Sequence, residues 1–184
     1  MSRIAPLAPP YSEEVQASFD KLMPEGMPPL GLFRVLAHNP RVLRRIQRGG
    51  LLDPGSISLR IRELVILRTC VLCGADYEWG VHAALFSGAA GFDELERLAQ
   101  PSTPSWTDEE RAVLEMCDAL HSAASVPDAL FARLSGFFTE GQLIELVALA
   151  GLYHAVSFLV NVSRVGAEPW APARPGASTK APLV

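Results

Sequence analysis

The sequence predicts an all-α fold in a single domain, and three observations carry that prediction. Apolar residues in the long runs recur at helical spacing, and no stretch alternates apolar and polar positions as a half-buried strand would. The runs open on Ser, Thr or Asp, twice in the Thr-x-x-Glu/Gln pattern of a capping box. They close on Gly or Pro, which end helices.

Taken in order, residues 1–29 hold one helix. The first ten residues are Pro-rich and read as a surface segment. Ser12 followed by Glu13 and Glu14 marks a helix start, because acidic groups are favoured at that end of the dipole. "VQASFDKLM" continues the helix until "PEGMPPLG" breaks it. "LFRVLAHNPRVLRRIQRGGLL" gives a short helix, an Asn39-Pro40 punctuation and a second helix closing at Gly49-Gly50. Ser58 caps "LRIRELVILRTCVLC", whose broad apolar face marks a core helix, and Gly74 stops it. Asp76 is placed as the cap of "YEWGVHAALFSGA", closed by Gly88 and Gly91. A short helix "DELERLAQ" and a loop "PSTPSW" follow. Thr107 with Glu110 opens the next helix, Pro127 begins "DALFARLSGFF", and Thr139 with Gln142 opens the last and longest. Residues 167–184 are rich in Pro, Ala and Gly and read as an extended or mobile arm.

Composition narrows the function classes. The chain has 184 residues, 49% hydrophobic and 20% charged, which suits a globular domain rather than a disordered chain. A net charge of -4 leaves no basic excess for phosphate contacts, so no nucleic-acid partner is expected. Three cysteines are too few for a secreted disulfide framework, and "MSRIAPLAPPYSEE" has no apolar signal core, so a cytoplasmic location is expected. "LIELVALAGLYHAVSFLVNV", residues 143–162, is long enough to cross a bilayer. It carries Glu145, His154 and Asn161, however, so it reads as a helix buried in the core or between subunits, with no membrane partner.

The chemistry concentrates in "RELVILRTCVLCGADYEWGVH", residues 62–82. A helical hairpin bent at Gly74-Ala75 would bring Glu63 of its first helix against His82 of its second. Glu78 stands four residues before His82, on the same helix face. Two carboxylates and an imidazole are the minimum equipment for moving a proton. Tyr77 and Trp79 could shape a pocket for a flat organic ligand, and Cys70 and His154 could border it. Cys70 and Cys73 have the Cys-x-x-Cys spacing but lie at a helix C-terminus, where the dipole disfavours a thiolate. Cys117 reads as core. His38 reads as a turn residue and His121 as solvent-facing. The two carboxylates and His82 could hold a divalent ion, but no second histidine stands at ligand spacing, so no metal site is assigned.

"LFRVLAHNPRVLRR", "SLRIRELVILRT" and "ADYEWGVHAALFSGAAGFDELERL" together resemble the carboxymuconolactone decarboxylase family, which includes the AhpD-like proteins. The resemblance covers residues 30–166, with "LIELVALAGLYHAVSFLVN" as the closing helix. It implies an AhpD-like helical bundle that assembles as a dimer, trimer or hexamer. In AhpD-like peroxidases a glutamate, a Cys-x-x-Cys pair and a histidine form a relay; Glu63 and His82 match its two ends. The cysteine positions fall on Ala75 and Glu78, so the dithiol is lost. The expected function is therefore a cofactor-independent, lyase-like enzyme. His82 would be its acid/base, Glu63 the relaying partner and Glu78 a carboxylate facing a small carbonyl or lactone substrate. The alternatives are a peroxidase using Cys70 and Cys73 and a non-catalytic oligomeric binder of a small ligand.

Overall fold

The computed structural model describes residues 2–49, 51–91 and 106–176. The short helix expected over "DELERLAQ" and the last eight residues of the chain lie outside the described residues. Among these, eight helices and no strand are formed: α1 (Glu13–Leu22), α2 (Gly31–Leu36), α3 (Pro40–Arg48), α4 (Leu59–Cys73), α5 (Asp76–Phe86), α6 (Asp108–Ala123), α7 (Asp128–Ser135) and α8 (Glu140–Ser163).

The helix α4 is the axis of the bundle. Residues 63–70 are buried without interruption, a pattern that requires neighbours on every side. α8, α6 and α5 supply them. Arg68 donates to Asp118 at 2.8 Å and Arg60 to Glu110 at 2.5 Å, so two ion pairs fasten α4 to α6. The expected caps at Ser12, Ser58, Thr107 and Thr139 all accept from helical N–H groups, both capping boxes are complete, and Asn39, read only as a break, caps α3 in the same way.

At the hairpin, Gly74 adopts φ +61°, a left-handed conformation that a Cβ would disfavour, and its N–H closes onto Cys70 and Val71. The chain then reverses directly into α5. The cap position belongs to Ala75 rather than Asp76, which occupies the first helical position. Asp76 instead accepts from Arg174 Nε at 2.6 Å.

That contact belongs to a larger difference from the sequence expectation. Residues 167–176 of the C-terminal segment are not a free arm but a strap across the start of α5. Glu168 accepts from the Gly31 N–H at 2.6 Å and from the Tyr77 hydroxyl at 2.7 Å. Ala171 and Pro172 press against Gly80 so closely that a Cβ there would stand 2.8 Å from the Pro172 carbonyl oxygen. Three polar contacts and one glycine hold what composition alone read as loose. The N-terminal segment is tied down similarly, with the Arg3 N–H donating to Ser163 and the Arg34 side chain to Leu7.

Candidate active site

The hairpin buries Glu63 and His82 against each other. His82 Nδ1 lies 2.8 Å from Glu63 Oε2, and neither residue is more than 2% exposed. The other Glu63 oxygen accepts from Arg62 Nε at 3.0 Å. Arg62 in turn donates to the Leu52 carbonyl and lies over the Phe86 ring. On its far side, His82 Nε2 is 2.9 Å from the Tyr153 hydroxyl and 3.5 Å from Glu78 Oε1. Tyr153 comes from α8, so three helices meet at one ring.

This arrangement fixes the protonation of the imidazole. Burial pushes the His82 pKa down, but the hydrogen bonds and charges of Glu63 and Glu78 outweigh it and raise the value to about 9. A charged His82 also balances the cluster, since two cations (Arg62 and His82) then face two anions (Glu63 and Glu78). Tyr153 is pushed well above the usual phenol range by burial and by the neighbouring Glu78, and stays protonated.

A cavity of about 440 Å³ opens beside this cluster. Glu78 and Tyr153 line it on the His82 side, Lys21, Arg48 and Asp53 add charged groups, and Leu32, Phe33, Leu152 and Val156 contribute apolar surface. The volume falls in the range of small-molecule sites. His82 does not itself line the cavity; it sits behind Glu78 and Tyr153, the two lining side chains within 3.5 Å of its Nε2.

The other expected site residues fall elsewhere. Tyr77 is not in the cavity wall: its hydroxyl donates to Glu168 and accepts from the Leu32 N–H, which makes it a tie between α5, α2 and the strap. Trp79 is 1% exposed and packs in the core. Cys70 is fully buried behind the cluster, where burial, Glu78, Cys73 and Glu63 all push its thiol up. Cys73 is also raised, by burial. Neither thiol has the electropositive setting that produces a reactive thiolate. His154, one residue beyond Tyr153, turns away from the cavity toward His121 and Cys73. Tyr153 itself is the site residue that sequence reasoning did not assign. Its only signal was a polar side chain inside an apolar run, which must find a partner.

The all-α bundle matches AhpD-like core structures, and solved structures superpose on it over most of the chain. The alkylhydroperoxidase AhpD core of a peroxidase-related protein from Ralstonia eutropha JMP134 gives a TM-score of 0.79 at 16% identity, covering 92% of this chain and 95% of that one. A putative antioxidant defence protein AhpD from Agrobacterium tumefaciens gives 0.67 at 19% identity, covering 72% and 94%. The debrominase Bmp8, in a variant complexed with 2,3,4-tribromopyrrole, gives 0.72 at 16% identity, covering 92% and 93%. No curated protein matches the sequence significantly. Residues 40–119 match the carboxymuconolactone decarboxylase family. The family match covers 80 of the 184 residues, and the fold over most of the chain is AhpD-like.

Proposed function

We propose that the protein is a cofactor-independent, cytoplasmic enzyme of lyase or decarboxylase type, acting on a small carbonyl or lactone compound by proton transfer. The observation that carries this reading is the clamped imidazole: His82 held at 2.8 Å by Glu63 and opening through Glu78 and Tyr153 to a cavity of about 440 Å³. On a carboxylated lactone or keto acid, the bond to the leaving carboxylate breaks and CO₂ departs. The electron pair stays on the substrate as an enolate. The enolate carbon then takes a proton that originates on His82 Nε2 and arrives by way of Tyr153 or Glu78. Glu63 steadies the imidazolium before transfer, and water reprotonates the ring afterwards. A positioned acid of this kind contributes about 10²–10⁴-fold.

That a debrominase of the same fold holds tribromopyrrole supports a compact, planar substrate. A peroxidase reaction at Cys70 and Cys73 has weaker support, since it needs a thiolate that burial and nearby carboxylates oppose.

The test is a panel of small γ-lactones and β-keto acids offered to the purified chain and to His82→Ala, with circular dichroism confirming the helices of both. Turnover by the wild type and a loss of about 10²-fold or more in the variant are expected. No turnover of any panel member, or undiminished turnover by His82→Ala, contradicts the proposal.

A further inference from the structure

A second cluster of reactive side chains lies outside the acid–base site. Cys73 ends α4, His121 lies in the last turn of α6 and His154 is in the middle of α8. The Cys73 sulfur is 3.8 Å from His121 Nδ1, which is 3.1 Å from His154 Nε2, and all three ligand atoms fall within 4.8 Å of one another. Zn–N bonds of about 2.05 Å and a Zn–S bond of about 2.3 Å in a tetrahedron place nitrogen ligands about 3.3 Å apart and sulfur about 3.6 Å from nitrogen. Two of the observed separations, 3.8 and 3.1 Å, lie close to those values, and the third is no more than 4.8 Å.

The surroundings of the three residues also suit ligation. His154 Nδ1 is 2.8 Å from the Ala150 carbonyl, which can only accept, so the proton of neutral His154 resides there. Its Nε2 lone pair is thereby turned toward His121 and Cys73. Such an outer hydrogen bond, fixing tautomer and ring orientation, is the usual companion of a metal-bound histidine. Asn161 donates to the Cys73 carbonyl at 2.9 Å, which ties the end of α4 to α8. His121 is exposed, so an ion has a path in.

We propose that Cys73, His121 and His154 form a binding site for a zinc-class divalent ion, with a fourth coordination position open. One thiolate and two imidazoles suit zinc rather than magnesium or calcium, which take oxygen ligands. Binding ionises the Cys73 thiol and releases its proton to solvent; the two histidines bind as neutral rings. The site gives Cys73 a role that the redox reading of Cys-x-x-Cys does not. No spacing in the sequence links the three ligands, which lie 48 and 33 residues apart on separate helices. Only the fold gathers them.

Chelator-stripped full-length protein is titrated with Zn²⁺ against a chromophoric chelator, and separately with Co²⁺ followed by absorption. One ion per chain is expected, with a thiolate-to-cobalt charge-transfer band. Cys73→Ala abolishes the band and weakens Zn²⁺ binding by at least about tenfold, the loss that even outer-shell changes produce. His121→Ala, a surface change that leaves the core untouched, weakens Zn²⁺ binding equally, while His82→Ala leaves binding unchanged. Absence of stoichiometric binding overturns the proposal. So does binding that survives both Cys73→Ala and His121→Ala, or binding that depends on His82.

Discussion

Two opposing effects act on the ring of His82. Burial favours the neutral imidazole, whereas Glu63 at 2.8 Å and Glu78 at 3.5 Å favour the cation. The carboxylates prevail and lift the pKa from 6.5 to about 9. A group whose folded pKa is raised stabilises the fold fully below its unfolded value and loses that contribution as pH rises through the folded one. The contribution is therefore complete below about pH 6.5 and gone above about pH 9. At ~1.4 kcal/mol per pH unit it amounts to roughly 3 kcal/mol. Urea denaturation at pH 6 and pH 9.5 should show that loss in the wild type and little of it in His82→Gln; equal losses in the two proteins would place the pH sensitivity elsewhere. The pair behind this effect was legible in the sequence, because nineteen residues across a Gly74 bend return one helix face to another. Glu78 was legible by its spacing of four. Tyr153 was not, because its distance of 71 residues from His82 is closed only by the packing of α8 on α4 and α5.

Local chemistry wrote most of the helices plainly. Side-chain caps, glycine stops and capping boxes act within three or four residues, so they can be read without the fold. Asp76 shows the limit of that reading. It has the composition of a cap, but the immediate reversal after left-handed Gly74 gives the cap position to Ala75 and leaves Asp76 free to pair with Arg174. The C-terminal strap was illegible for the same reason. Pro- and Ala-rich composition describes a segment with no helix of its own, and says nothing about Gly80 or Tyr77, the distant partners that receive it. Tyr77 and Trp79 were expected to shape the pocket, yet neither lines the cavity: Tyr77 ties α5 to α2 and the strap, and Trp79 packs in the core.

At the scale of the whole molecule, α8 has the length and apolarity of a membrane span, with 44% of its most apolar window buried in the bundle. Its outer face keeps Ile144, Val147, Phe158 and Val162 between 44% and 71% exposed, in one stripe at helical spacing. Each large apolar side chain removed from water contributes about 1.5–3 kcal/mol, enough for such a stripe to hold a second copy of the chain. The protein is predicted to be a homo-oligomer joined through this face. Light scattering should give at least twice the 19.9 kDa chain mass, and Phe158→Glu should return it to the monomer. A monomeric wild type would contradict this.

The claim on which the catalytic reading rests is that the acid–base cluster keeps His82 protonated at neutral pH. Nitrogen-15 NMR of labelled imidazole measures this directly and needs no substrate. Both ring nitrogens should carry protons at pH 7, with a midpoint near 9 that falls when Glu63→Gln removes the clamping charge. A His82 that titrates at or below 6.5 in the wild type, or that ignores Glu63→Gln, would contradict the account.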